Sequence, residues 1–152
     1  MMRVGYAAGA FDLFHVGHLN LLRQARLHCD TLIAGVVSDE MLLRARGRSP
    51  VIPTEERAEI VSHIDFVDEV HIERTPDKLD VWHEVQFTHF FKGDDWQGTR
   101  KGQRLERRFA GVGVQVVYFP YTSFTSSTEI RRALDELGAF GRVSSGRHSA
   151  AA

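Results

Sequence analysis

Residues 4–18 read Val4-Gly5-Tyr6-Ala7-Ala8-Gly9-Ala10-Phe11-Asp12-Leu13-Phe14-His15-Val16-Gly17-His18, and the helical periodicity of residues 19–28 follows at once. The opening run is apolar and strand-like. Gly9 ends it with a residue that lets the backbone turn tightly and approach a ligand without a Cβ in the way. Gly17 and His18 stand where the helix is expected to begin. Backbone N–H groups and the positive end of the helix dipole then face outward, which favours an anion and above all a phosphate. His15 and His18 are three positions apart, so one helical turn can present both imidazoles to the same point. Such a pair donates hydrogen bonds that strengthen as a phosphorus centre gains charge.

Outward from this segment, apolar runs recur at residues 31–37, 66–72, 88–91 and 112–119. Between them lie helical patterns carried by Leu19, Leu22 and Ala25, by Ala58, Val61 and Ile64, and by Val81 and Val85 around Trp82. Strands alternating with helices of this length predict βαβ crossovers. The expected fold is a Rossmann-like α/β doubly wound sheet of about five mainly parallel strands, covered by helices on both faces. Ligands of such sheets sit beyond the carboxyl ends of the strands, where the strand order reverses. Residues 44–53 (RARGRSPVIP) read as one long internal loop, basic at its start and bounded by proline. Residues 138–152, rich in Gly, Ser and Ala, read as a flexible tail, which leaves 1–137 as a single domain.

Composition narrows the function. The 152 residues are 43% hydrophobic and 26% charged, with a formal net charge of −1. A chain of this kind is not disordered throughout, and the charge balance argues against a protein built mainly to hold nucleic acid. Cys29 is the single cysteine, which excludes an internal disulfide and a cysteine-built zinc site. No apolar run approaches the ~20 residues of a membrane-spanning helix, so no membrane insertion is expected. The N-terminus runs straight into the first strand without the layout of a signal peptide, so a cytoplasmic location is expected.

Two other readings of the histidines stand beside phosphate binding. His15 and His18 are candidate metal ligands with Asp12 as a third, although no further convergent ligand set is visible. They are also candidates for satisfied structural residues, a reading weakened by the way they bracket a glycine at a strand-to-helix junction. A GxGxxG dinucleotide loop is absent.

The segment Gly-x-Phe-Asp-x-x-His-x-Gly-His resembles the signature of the cytidylyltransferases within the HxGH nucleotidyltransferase superfamily. The resemblance runs from Arg3 to about Leu137. It takes in Ser38-Asp39-Glu40, Arg46-Gly47-Arg48, the stretch from Pro50 to Arg57, Phe66-Val67-Asp68-Glu69-Val70 and Lys92-Gly93-Asp94-Asp95-Trp96. The Gly-Asp-Asp-Trp run is most similar to the small bacterial glycerol-3-phosphate cytidylyltransferases. The stretch from Tyr121 to Arg131 resembles the family's R-T-x-G-I-S-T-T-x-I segment.

The resemblance implies an enzyme in which an acceptor phosphate oxygen attacks the α-phosphorus of CTP and pyrophosphate leaves. His15 and His18 would be the catalytic donors. Gly9, Ala10, Phe11, Gly17, Arg48, Asp94, Asp95, Tyr121, Thr122, Thr125, Ser126, Ser127 and Thr128 would join them in binding the nucleotide. Asp12, Arg46 and Lys78 would face a small phosphorylated alcohol, glycerol 3-phosphate first among them. Mg²⁺ would be held mainly through nucleotide phosphates, with no metal ligand from the protein, and the chain would form a homodimer. Three residues carry two readings each. Ser126-x-x-Glu129 is equally a helix-capping box; Arg57 reads as reaching the substrate pocket and equally as a helix-surface partner of nearby glutamates; and Trp96 reads as a base-stacking platform or, more commonly for its type, as a residue that closes a core.

The chain departs from the family pattern at Ala10 (threonine there), at Asp65 (a basic residue there), and at Tyr121, Phe124 and Thr125 (arginine, glycine and isoleucine there). The lost arginine leaves Arg131, Arg132 or an acceptor-side group to supply its charge. Two alternatives therefore accompany cytidylyl transfer. One is a related nucleotidyltransferase using ATP or a sugar or aminoalcohol phosphate, and the other is a nucleotide-binding protein with little activity.

Overall fold

A computed structural model describes residues 1–122 and 125–141. Its strands are β1 (Val4–Gly9), β2 (Thr31–Val37), β3 (Glu69–Glu73), β4 (His89–Gly93) and β5 (Gln115–Phe119). They form one sheet in the order β3-β2-β1-β4-β5, with every neighbouring pair parallel. The helices are α1 (Val16–Leu27), α2 (Asp39–Arg46), α3 (Thr54–Ser62), α4 (Lys78–Val85), α5 (Arg100–Ala110) and α6 (Ser127–Gly141).

Alternation along the strands divides the core into two layers. Tyr6 of β1, Ile33 of β2 and Phe90 of β4 pack on one face with Val81 of α4 and with Leu105 and Phe109 of α5. Ala7, Leu32, Ala34 and Phe91 face the other way and meet Leu22 and Ala25 of α1 and Val61 of α3. Helices therefore cover both faces, and the sheet is doubly wound as expected. Gly35 is required by this packing, because a Cβ there would stand 2.0 Å from the Tyr6 hydroxyl. The strand order reverses between β1 and β4, which opens a crevice at their carboxyl ends.

Several boundaries differ from the sequence reading for identifiable reasons. The apolar run at 66–72 joins the sheet only from Glu69, because Val67 packs in the core beside α1 and α3 and Asp68 accepts the backbone N–H of Leu32 at 2.8 Å. The run at 112–119 starts with a turn around Gly113 (φ 79°) before β5 begins. Residues 44–46 belong to α2, which Ser38 caps and which ends at Gly47 in the left-handed conformation, so the loop proper is 47–53. Helix α5 is not among the helices the apolar runs predict, because its mostly charged sequence RKGQRLERRFA carries only a narrow buried stripe of Gly102, Leu105 and Phe109. Its legible signal was Thr99, whose side chain caps Gly102 N–H. Helix α6 continues to Gly141, beyond the expected end of the domain at 137. The rest of the expected tail, residues 142–152, lies outside the described residues.

Candidate active site

A cavity of about 290 Å³ occupies the crevice between β1 and β4. Ala8 and Gly9 of β1, Lys92 and Gly93 of β4, and Phe119 at the end of β5 form its floor. The loop that leaves β1 carries two non-glycine residues at positive φ, Phe11 (53°) and Leu13 (52°), a conformation that has to be held by its surroundings. Gly9 contributes room, since a Cβ there would meet the Phe11 ring at 3.2 Å.

Asp12, between the two strained residues, does the holding. Its carboxylate is 1% exposed and accepts from Val51 N–H (2.9 Å), Ile52 N–H (2.9 Å) and Arg131 Nη2 (2.8 Å). Its backbone carbonyl accepts from the Ser127 hydroxyl at 2.7 Å. Burial alone would raise the carboxyl pKa, but these donors outweigh it and hold Asp12 below the usual carboxylate range. Asp12 was expected to face the acceptor; the structure instead shows it clasping the β1–α1 loop to the 47–53 loop and to α6. With both oxygens so engaged, it is a poor third ligand for a metal.

Helix α1 begins at Val16, earlier than the sequence suggested, because His15 is its N-cap. His15 Nδ1 accepts from Gly17 N–H at 3.0 Å, and His18 Nδ1 accepts from His15 N–H at 3.4 Å. This is a reciprocal capping box made by two imidazoles in place of Ser/Thr and Glu. The Gly17 N–H, read from the sequence as facing an anion, is thus occupied. The rings stack with centroids 3.9 Å apart. Because each Nδ1 is an acceptor, each neutral ring carries its proton on Nε2, the one donor it can offer to the cavity that both rings line.

Burial pushes the His15 pKa down. His18 is pushed to about 4 from 6.5 by burial and then by His15, with Asp12 partly opposing. Since the folded value lies below the unfolded one, the stabilisation is fully present above pH 6.5 and is lost as the pH falls toward about 4. A histidine NMR titration should give His18 a midpoint near 4, and stability should fall through the same window. A midpoint near 6.5 would mean that the burial and capping described here are absent.

Across the cavity, Tyr121 stands where the family pattern has arginine. It is 71% exposed, and its hydroxyl reaches over Gly93, as shown by the 3.0 Å it would leave to a Cβ there. Burial of the hydroxyl raises its pKa, followed by the charge of Asp95 and the hydrogen bond between them. Thr122, Thr125, Ser126, Ser127 and Thr128 line the same side. Thr122 accepts from Asn20 Nδ2 (2.9 Å), Ser126 caps Glu129 N–H (3.1 Å) and Ser127 donates to Asp12. Thr122 and Ser126, being acceptors in these bonds, keep their own O–H for a ligand. The capping reading of Ser126 therefore holds alongside its place at the cavity.

The remaining expected residues separate. Ala10, Phe11, Gly17, Arg46 and Asp95 line the cavity, whereas Arg48 lines a neighbouring cleft and Asp94 and Lys78 line neither. Lys78 donates to Glu73, which is fully buried and also accepts from Tyr6 Oη at 2.6 Å, so it completes a buried network at the start of α4. Trp96 packs against the core layer of Tyr6, Ile33 and Phe90, as expected of a residue that closes a core.

The sequence reading missed Lys92. It lines the cavity with its ammonium 4.1 Å from the centroid of the Trp96 ring and 4.0 Å from Asp95, and burial lowers its pKa against the pull of Asp95. The available signal was a lysine ending an apolar strand four positions before a tryptophan. Arg57 fits neither of its two readings. It is fully buried and donates to the carbonyls of Ala10 (2.6 Å), Val37 (2.8 Å) and Ile52 (2.8 Å), to Asp39 (2.6 Å) and to Thr54 (3.2 Å). No three His, Cys, Asp or Glu side chains gather as a metal site among the described residues. No helix among them is long and apolar enough to cross a membrane.

Residues 6–133 match the family described as Cytidylyltransferase-like. The chain is 32% identical over 130 residues to "Bifunctional protein HldE" of Hyphomonas neptunium, a match spanning 85% of this chain and 26% of that protein. It is 34% identical over 117 residues to "FAD synthase" of Thermococcus onnurineus, spanning 76% of this chain and 77% of the other. It is 41% identical over 95 residues to "Ethanolamine-phosphate cytidylyltransferase" of Arabidopsis thaliana, spanning 59% of this chain and 22% of the other.

Proposed function

This chain belongs to the cytidylyltransferase-like family, and on that premise we propose that it transfers CMP from CTP to a small phosphorylated alcohol. Glycerol 3-phosphate is the first candidate acceptor. An acceptor phosphate oxygen forms a bond to the α-phosphorus, the bond from that phosphorus to the bridging oxygen of the β-phosphate breaks, and pyrophosphate departs. Such chemistry rests on positioning and charge stabilisation. The observation that carries the proposal is the pair of stacked imidazoles whose Nδ1 atoms are fixed by capping. Their Nε2–H groups donate to the α-phosphate oxygens as negative charge builds there. They need move no proton, because a phosphate nucleophile is already anionic.

Arg46 and Lys92 supply the positive charge that Tyr121 cannot, and Asp95 with the backbone at the end of β4 faces the base. Mg²⁺ would be held mainly by the triphosphate oxygens, where it would reduce the negative charge that Arg46 and Lys92 also face. The similarity to a FAD synthase over most of that protein's length supports a second reading, in which the nucleotide is ATP. The low-activity reading rested on Tyr121 and Phe124; Phe124 lies outside the described residues.

A nucleotide panel with released pyrophosphate as readout separates these readings. Turnover with CTP and glycerol 3-phosphate or another phosphorylated alcohol is expected. Turnover with ATP alone, or tight CTP binding without pyrophosphate release across a wide acceptor panel, would overturn cytidylyl transfer.

A further inference from the structure

Tyr121 follows shortly after the end of β5 at Phe119, and its side chain reaches back over the end of β4. A Cβ at Gly93 would meet its Oη at 3.0 Å, its Cζ at 3.1 Å and Asp95 Oδ1 at 3.5 Å. The phenol tip and the carboxylate therefore converge above a residue that has no side chain to keep them apart. The phenol donates its hydroxyl hydrogen to Asp95. Asp95 lies in turn 4.0 Å from the ammonium of Lys92, which rests on the Trp96 ring. Although its tip is fixed in this way, Tyr121 is 71% exposed while lining the cavity. A phenol is neutral where a guanidinium is charged, and it lacks the fork that grips a phosphate. Its single donor is spent on Asp95, so what it offers to a ligand is the face of its ring. A nucleotide whose α-phosphorus lies at His15 and His18 has its base across the cavity, toward the ends of β4 and β5 where this ring stands.

We propose that Tyr121 exchanges the phosphate contact expected of an arginine at this position for a nucleoside contact. Its ring is the face on which the base of the nucleotide stacks, and the bond to Asp95 holds that face in place. The location of the base rests on the nucleotidyl-transfer reading above, whereas the chemistry of the ring face is the same for any base.

Calorimetric titration of the full chain with CTP and with inorganic tripolyphosphate tests this. The ratio of the two dissociation constants reads the nucleoside's share of the affinity. In Tyr121→Ala that ratio is expected to fall about tenfold or more, through weaker CTP binding alone, as on removing one stacked aromatic. Tyr121→Ser, a second variant without the ring, should do the same, and Tyr121→Phe should keep most of the ratio. Both ringless variants should melt near wild type, because the residue is largely exposed. An unchanged ratio in the ringless variants would overturn the proposal. Equal losses for CTP and tripolyphosphate would assign Tyr121 to the phosphates, and a ratio as low in Tyr121→Phe as in Tyr121→Ala would assign the effect to the hydroxyl; either overturns it too. So would a wild type that binds CTP no more tightly than tripolyphosphate. If wild type binds and turns over ATP in place of CTP, cytidylyl transfer fails, and the same ratio taken with ATP still decides the role of the ring, since stacking tolerates any base.

Discussion

Replacing His18 by alanine is expected to lower kcat by about 10²–10³-fold, the usual consequence of removing one preorganised donor from a developing oxyanion. Its CTP affinity should change little, because Arg46, Lys92, Thr122 and Ser126 line the same cavity and, on the proposed mechanism, hold the ground-state phosphates. His15 requires a more careful substitution, since its Nδ1 also caps α1 and loss of an N-cap alone costs ~1 kcal/mol of stability. His15→Asn retains an acceptor for Gly17 N–H while removing Nε2–H. It should therefore keep the melting temperature close to wild type and still lose most of the rate. If His15→Asn turned over normally while His15→Ala did not, the ring would be a cap and nothing more. The two histidines stack 3.9 Å apart and cap each other, so their single effects should not add in the double variant.

The largest effect on stability is expected at Arg57. Its guanidinium is fully buried and ties the residue after β1, the end of β2, the 47–53 loop and the start of α2 into one unit. Arg57→Met removes every one of those donors and leaves three carbonyls and Asp39 without them. Breaking a buried charged network by deleting one partner typically costs about 3–5 kcal/mol. For a domain of this size that is a fall of about 6–20 °C in melting temperature. Arg57→Lys should recover little, because a single ammonium cannot reach carbonyls on separate segments as a fork does. Urea or thermal unfolding measures this directly. A loss below 1 kcal/mol in Arg57→Met would mean that the loops are held by something else.

These two sites also show what a sequence can and cannot reveal. The order of strands and helices was legible from the alternation of apolar runs, and the histidine segment was legible because a strand, a glycine, two imidazoles and a helix follow one another without interruption. Arg57 was not, since an arginine after Thr54-Glu55-Glu56 has the look of any solvated helix face and its partners at Ala10 and Val37 are distant in the chain. Asp12 was read as a substrate contact for the same reason: its partners lie 39, 40 and 119 residues away. Lys78, read as an acceptor contact, pairs with Glu73 five positions earlier, at the end of β3. Helix α5 was passed over although Gly102, Leu105 and Phe109 mark one buried stripe on an otherwise strongly charged segment, because it has few apolar residues rather than no periodicity. Local chemistry was therefore readable, while any role fixed by long-range hydrogen bonding was not.

On the proposed mechanism His15 and His18 act on the phosphorus undergoing attack, and not on the affinity of the resting complex. The measurement that bears on it most directly is a pair of experiments on the His15→Asn/His18→Ala double variant: calorimetric titration with CTP, and the single-turnover rate of pyrophosphate release. Binding within a few-fold of wild type together with a collapsed rate is the predicted outcome. A normal rate, or a rate that falls only in proportion to lost CTP binding, would contradict it.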